Sequence, residues 1–375
     1  MNIFALSFAV MLALVLAEQW LIKRRTAQPV PWIDVVFNLN SGHLLMWVLR
    51  GVEIAAYGFT LEHASVQWTS RWPMPAQWVF AFIAWDLCFY WMHRMHHKVP
   101  LLWAVHRIHH QGEHFNLSLG IRNGWYSSLT NFPFIAVLAI LGVPLDMFIA
   151  VSSLHYAVQL YNHNALVGRS GILDKFLVTP SNHRVHHGMD PRYIDRNFGG
   201  TLLLWDRLFG SWQPERDDID MRFGVHGGMP SQNPLWANNP SLWRWLCKRQ
   251  SQHRSPELHW PATYIGSGGV MLFLIVIAHI DGQANWPVFL STGSLLALIF
   301  STIALGALSD GKRWWAIAWV ALCLVLPALF LWASNFLSAW LCVPLVLLLA
   351  HGLRGAWHLK RNIPDNQTPP AKTTP

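Results

Sequence analysis

The stretch Trp78-Val-Phe-Ala-Phe-Ile-Ala-Trp-Asp86-Leu-Cys-Phe-Tyr90-Trp-Met-His93-Arg-Met-His-His97-Lys-Val-Pro100-Leu-Leu-Trp-Ala-Val-His106-Arg-Ile-His109-His110 decides how this chain is read. Its first half is an apolar run; its second half carries six histidines in eighteen residues. Residues 76–92 are expected to span a bilayer and to end where the histidines begin. On a helix, positions three and four apart share a face about 5–6 Å apart. Asp86, Tyr90, His93 and His97, at i, i+4, i+7 and i+11, therefore form one polar stripe. An aspartate at membrane depth is costly and needs a partner, so Asp86 is expected to orient a ligating imidazole. Pro100 breaks the helix, which lets His106–His110 fold back towards His93.

Working outward, three histidine boxes emerge. The first is HxxxH (His93, His97); the second and third are HxxHH (His106, His109, His110 and His183, His186, His187). Each HxxHH can offer up to three imidazoles to one point from a single turn. Eight such ligands are too many for one ion and suit two. His163 is a ninth candidate, with His155 and Gln159 on the same helical face as supporting groups. His96 points off the His93/His97 face and is not expected to be a ligand. His114 and His226 are left open, and His43, His63, His279, His351 and His358 read as interfacial or capping residues. Imidazole suits iron, zinc, copper or nickel, and spacing alone does not choose among them.

Composition sets the surroundings. Of 375 residues 53% are hydrophobic and 12% charged, with a mean hydropathy of +0.27. Soluble domains carry about 25% charged residues, so neither a cytosolic globule nor a disordered chain fits. The 23 tryptophans suit many membrane–water boundaries. Twelve of the 20 histidines fall between His93 and His187. The net charge of +8 fits cytoplasmic loops rather than a nucleic-acid face. Cys88, Cys247, Cys323 and Cys342 show no CxxC spacing, which excludes a thiolate site as the natural reading.

Further spans are expected at 3–22, at 43–62 (interrupted by Arg50 and Glu53), and at about 263–280, 286–308, 314–333 and 336–353. The run 128–161, broken at Gly142-Val143-Pro144, reads as a hairpin that dips in and returns. With Lys23–Arg25 inside, every histidine box, Lys312-Arg313 and Arg354–Arg361 fall on that same side, as the positive-inside rule requires. The expected fold is an all-α polytopic membrane bundle with a cytosolic histidine-rich di-metal cap, in a bacterial inner membrane or the endoplasmic reticulum. Its parts are N-terminal transmembrane helices (1–75), a catalytic domain (76–215), a polar linker (216–262), a C-terminal four-helix unit (263–355) that could be a separate addition, and a disordered tail (356–375).

The order HxxxH, HxxHH, HxxHH resembles the fatty acid hydroxylase/sterol desaturase superfamily over roughly residues 80–215. Thr179-Pro-Ser-Asn-His-Arg-Val-His-His-Gly188, Tyr193-Ile-Asp-Arg-Asn-Phe-Gly-Gly200, Leu204-Trp-Asp-Arg-Leu-Phe-Gly210 and the stretch from His109 to Asn116 resemble its alkylglycerol monooxygenase branch. Two departures are Asn182, where the branch often has a histidine, and a shortened Phe223-Gly-Val-His226. The resemblance implies two iron ions on His93, His97, His106, His109, His110, His183, His186 and His187, with His163 matching a further family histidine. It also implies O2 as oxidant and a membrane lipid as substrate, with tetrahydrobiopterin as the reductant of that branch; the electron donor is expected to be a pterin or a redox protein. Glu113 sits where that branch keeps an acidic residue and is a candidate catalytic group beside the metals or the pterin.

The expected reaction is hydroxylation of a lipid C–H, with cleavage of an ether when that carbon lies next to oxygen. The lipid chain is expected to enter between the 76–92 helix and the 128–161 hairpin. Desaturation or hydroxylation of a sterol or fatty acid is the alternative within the superfamily. Outside it stand a metal-handling membrane protein, whose ligands would string along a transmembrane path, and bis-imidazole haem binding.

Overall fold

The structure is a computed structural model describing residues 1–227, 231–239, 258–332 and 339–361, within which every regular element is helical and no strand forms. Much of the polar linker, Cys247, the 334–335 loop and the tail beyond residue 361 lie outside the described residues, as does the side chain of His43. The helices are α1 (Ile3–Thr26), α2 (Trp32–Asn40), α3 (His43–Ala64), α4 (Met74–Lys98), α5 (Pro100–His110), α6 (Ser127–Leu141), α7 (Leu145–Asn162), α8 (Pro180–His187), α9 (Leu204–Leu208), α10 (Pro234–Asn238), α11 (Ala262–Gly282), α12 (Val288–Ser309), α13 (Arg313–Trp332) and α14 (Cys342–Arg361).

Among the described residues six stretches are long and apolar enough to cross a membrane: α1, α2 with α3, and α11 to α14. The chain is a multi-pass membrane protein. α4 is not among the six, because Asp86 and its neighbouring polar residues dilute its apolar run, although 25 residues reach about 37 Å. Arg50 and Glu53, which interrupt α3, pair with each other at 2.7 Å, and Arg50 Nη2 donates to Ser152 Oγ on α7 at 2.9 Å.

The turns form for local reasons. Gly142 adopts φ +92° at the end of α6, a conformation that side chains other than glycine disfavour. Its N–H bonds to Ala139 O while that of Val143 bonds to Leu138 O, turning the chain into α7. Val99 is extended (φ −100°, ψ 118°) before Pro100, the first residue of α5, as a residue preceding proline prefers. The expected fold-back of the second box on the first starts there.

Two apolar cores result. One joins Tyr57 of α3, Trp85 of α4, Leu138 of α6 and Phe148 of α7. Tyr57 stacks on Phe148 at 4.0 Å and Trp85 meets the same ring edge-on at 5.3 Å. The seam between α4 and the hairpin, the expected lipid route, is thus packed shut at this depth. The second core joins α1 and α2 to α11–α14 through Val15, Val36, Leu39, Leu272 and Val276. The C-terminal spans therefore share one interior with the first two helices. His279 and His351, expected at an interface, are buried within this unit; Ser294 Oγ and Trp319 Nε1 supply the polar partners that make burial tolerable.

The basic helix ends and the histidine boxes share one face. Glu18, near the C-terminal end of α1, accepts from the backbone N–H groups of Leu117 (2.7 Å) and Ala165 (2.8 Å), both in loops beside the boxes. Asp310, next to Lys312-Arg313, accepts from Gln232 N at 2.7 Å, just before α10, which contacts α5. The tip of the hairpin lies at the other end, where Val66 N bonds to Ile140 O.

Candidate metal centre

Nine imidazoles gather into two adjoining groups. His93, His97, His106, His110 and His186 form one; His109, His163, His183 and His187 form the other; within each, one ring nitrogen per residue lies within 4.8 Å of all the rest. All nine candidate ligands are thus brought together.

The helical spacing explains the division and corrects one expectation. An HxxHH box does not aim three rings at one point. In α5 the i, i+4 pair His106/His110 enters the first group while His109 enters the second. In α8 the order is reversed: His183/His187 enter the second group and His186 the first. A step of three and a step of four bracket the 3.6-residue turn from opposite sides, and the adjacent rings stand nearly perpendicular, at 89° for His109/His110 and 89° for His186/His187. Each HxxHH helix therefore bridges two sites.

The ring nitrogens approach closely. His93 Nε2 is 3.1 Å from His106 Nε2, His97 Nε2 3.1 Å from His110 Nε2, and His186 Nε2 3.1 Å from His110 Nε2. In the second group His163 Nε2 is 3.2 Å from His187 Nε2 and 3.0 Å from His183 Nε2. Opposite nitrogens show what these atoms carry. His93 Nδ1 donates to Phe198 O (2.9 Å), His186 Nδ1 to Arg196 O (2.9 Å), His109 Nδ1 to Arg122 O (2.8 Å) and His163 Nδ1 to Gln159 O (2.7 Å). A ring that donates from Nδ1 presents a lone pair at Nε2 when neutral. Lone pairs facing one another at about 3 Å repel, and a shared cation converts that repulsion into coordination. Burial holds the rings neutral: it pushes His109 down to about 4, and burial with the neighbouring imidazoles pushes His110, His183 and His187 well below the ordinary value. The donor set, all imidazole without thiolate, fits borderline divalent ions.

The expected supporting residues divide. His155 and Gln159 flank the second group on α7. Gln159 gives its carbonyl to His163 and donates its side chain to Gly200 O at 2.6 Å; His155 is buried with Nδ1 3.3 Å from Thr201 Oγ1. Asp86 does not bond a ligand ring. Its carboxylate accepts from Thr201 N (2.8 Å), Leu202 N (3.1 Å) and Trp205 Nε1 (2.9 Å), fixing the loop that follows Phe198. The reason is reach: about two turns separate Asp86 from His93, and the N–H groups of Thr201 and Leu202 lie beside Asp86 instead. Glu113 is exposed on the loop after α5. His96 bonds Met92 O and Thr130 Oγ1 and joins neither group. His114 pairs with Asp34 at 3.1 Å, and His226 is exposed.

Two elements were not anticipated. The loop Asp195–Phe198 supports three ligands of the first group: Phe198 O for His93, Arg196 O for His186, and Asp195 Oδ1, 3.4 Å from His97 Nδ1. Asp206 in turn anchors it by accepting from Phe198 N and Gly199 N, both at 2.7 Å. The second element is Arg122, fully buried. Its Nε donates to Ile108 O (2.6 Å) and its Nη1 to Asp34 Oδ1 and Asn38 Oδ1, both 3.1 Å. Asp34 and Asn38, one turn apart on α2, were the readable signal.

Residues 78–211 match the fatty acid hydroxylase family model. Those residues form a domain of that kind. The chain is also similar to alkylglycerol monooxygenases: it is 35% identical to that of Danio rerio over 192 residues (50% of this chain, 42% of the relative) and 34% identical to that of Xenopus tropicalis over 218 residues (56% and 47%). It is also 28% identical to ornithine lipid hydroxylase OlsE of Rhizobium tropici over 186 residues (46% and 54%). The chain spans about half the length of these relatives or less. No solved structure matches it.

Proposed function

We propose that this chain is a membrane-bound non-haem di-iron oxygenase that uses O2 to hydroxylate a lipid C–H, with a carbon next to an ether oxygen as the preferred position. One observation carries the reading: nine imidazoles, seven buried and two (His97 and His106) half-buried, sorted five and four around two adjoining points, without a thiolate. A site for transport would spread its ligands along a path, whereas these gather at one end of the helices. The similarity to alkylglycerol monooxygenases supports the ether substrate; the tetrahydropterin reductant rests on the motif resemblance alone.

Iron bound there would supply activation of O2 and attack on an inert C–H bond. The protein's own contribution is positional. α4 and α5 deliver His93, His97, His106 and His110 from two helices joined at Pro100, and α8 adds His186. The Asp195–Phe198 loop and the Arg122 carbonyl fix ring orientation from outside, as carbonyl partners of ligating histidines do. Beneath the site, the core of Trp85, Phe148 and Val151 excludes water from the membrane side. Hydroxylation beside an ether oxygen gives a hemiacetal, which collapses to an aldehyde and a free alcohol. Lys23–Arg25 and Lys312-Arg313 lie on the side of the site, which by the positive-inside rule supports a cytosolic face.

The test is metal content together with turnover of the purified full chain, given an alkylglycerol lipid, O2 and tetrahydrobiopterin. Two irons per chain and release of aldehyde are expected, with His109→Ala and His186→Ala each lowering iron content and abolishing turnover. Protein that binds no iron, or His109→Ala with full O2-dependent oxidation, overturns the proposal. Iron-dependent hydroxylation without cleavage would favour the alternative that the ornithine lipid hydroxylase match supports.

A further inference from the structure

Beside the five-histidine group, the last turn of α4 and the loop after α8 line an open hollow of about 280 Å³. That is close to the lower end of small-molecule sites, about 300 Å³. Its charged lining is Arg94, Lys98, Asp195 and Arg196, three cations facing one carboxylate. Arg94 and Lys98 stand one helical turn apart on α4. Asp195 is committed to Lys98 Nζ at 2.5 Å and to His97. Arg94 Nη1 donates to Tyr90 Oη (2.7 Å) and Phe209 O (3.1 Å), and Arg196 Nη1 to Gly210 O (3.3 Å). These are neutral acceptors, which position a guanidinium without cancelling its charge. Asp206 is the other carboxylate nearby, and its oxygens are taken by Phe198 N, Gly199 N and Ser211 Oγ. The lining thus carries three cations against one carboxylate, with Asp206 also acting on Arg94; Arg94 and Arg196 are half-buried and Lys98 is exposed.

Its wall is also the loop that steers the metal ligands. Asp195 (φ 61°) and Asn197 (φ 53°) both adopt left-handed backbone, which asparagine and aspartate tolerate best. This alternation turns the carbonyls of Arg196 and Phe198 towards His186 and His93 while the side chain of Arg196 lines the cavity. One short segment faces a cationic hollow with side chains and two metal ligands with its backbone.

We propose that this cavity binds a phosphate-type oxyanion, carried by a lipid headgroup or a soluble molecule, and that its occupancy is felt by the five-histidine group through the Asp195–Phe198 loop. A phosphate monoester bears about −1.5 to −2 at neutral pH, opposite in sign to the excess charge of the lining, and guanidinium forks suit its oxygens. Binding stands on the cavity alone; the coupling rests on the metal reading.

Titration of the full chain in detergent with inorganic phosphate, before and after metal removal by a chelator, tests it. Saturable binding is expected in both forms, weakened about tenfold or more in Lys98→Gln/Arg196→Gln, as expected for lost charge-assisted hydrogen bonds. Phosphate should also slow amide hydrogen exchange at residues 195–198. Arg196→Gln keeps the backbone carbonyl that holds His186, so its metal content reports whether the fold survives. In nanodiscs, phosphate binding that phosphatidic acid abolishes and phosphatidylcholine does not assigns the site to a lipid headgroup; binding in both assigns it to a soluble ligand. No saturable binding by the wild type, or equal binding by the double variant, overturns the anion site. Unchanged exchange at 195–198 on saturation overturns the coupling. Protein that binds phosphate but never iron would defeat the oxygenase reading and leave this site standing.

Discussion

At the scale of single residues, Arg122 shows how a group outside the histidine clusters orients one of their rings. Its guanidinium lies 4.3 Å over the Phe37 ring, is paired with Asp34, and its own carbonyl accepts the Nδ1 proton of His109. Burial pulls its pKa down to about 10, so it remains charged at neutral pH. Breaking a buried pair by removing one partner costs about 3–5 kcal/mol, since the other charge is left without compensation. Arg122→Met is therefore expected to lower the thermal midpoint in detergent sharply and to release metal chiefly from the four-histidine group, where His109 sits. Arg122→Lys restores charge without the fork and should recover part of the stability only. Full stability and undiminished metal in Arg122→Met would contradict this role. The pair was only half readable in the sequence. Asp34 and Asn38 announce a polar helix face, but nothing local to them points to a partner more than 80 positions away.

At the scale of elements, the histidine boxes were legible because both members of an i, i+3 or i, i+4 pair sit on one turn, whose geometry the sequence dictates. Their division between two points was not, because it depends on where α4, α5, α7 and α8 cross. The carbonyls of Arg122, Arg196 and Phe198 were invisible for another reason: every residue has one, and only the tertiary path of the chain selects which face a ring. Asp86 shows the same limit. Its cost at membrane depth correctly demanded partners, and these proved to be two loop N–H groups and the Trp205 indole rather than a ligand imidazole. The loop's fit is tight at Gly200, where an added Cβ would collide with the ring of His155 and with Phe89. Gly200→Ala should therefore push the 198–202 segment off α7 and carry the Phe198 carbonyl away from His93. Loss of about half of the bound metal with little change in helical content is expected, read by metal analysis beside circular dichroism. Retention of both ions would mean that α7 yields instead of the loop.

At the scale of the whole molecule, the C-terminal spans are tied to the metal centre by a chain of contacts. Helix association in a membrane relies on close backbone approach at small residues, and α11 provides it. Gly266 lies against Trp32, and a Cβ on Gly269 would strike Val36 of α2. Gly269 O also accepts from Asn40 Nδ2 at 3.2 Å. α2 is thus set in place by α11, and α2 carries Asp34 and Asn38, which hold Arg122, whose carbonyl holds His109. Gly269→Leu tests that sequence of dependence from a position far along the chain from every ligand. If α2 is positioned by α11, the substitution displaces Asp34 and lowers the occupancy of the four-histidine group first, while the five-histidine group, supported by Asp195–Phe198, keeps its ion. Gly293→Leu on α12, where an added Cβ meets nothing within 4 Å, serves as the control for the bulk of the new side chain. Two ions retained in Gly269→Leu would show that α2 takes its position from the catalytic domain alone, and that the C-terminal unit contributes to something other than the site.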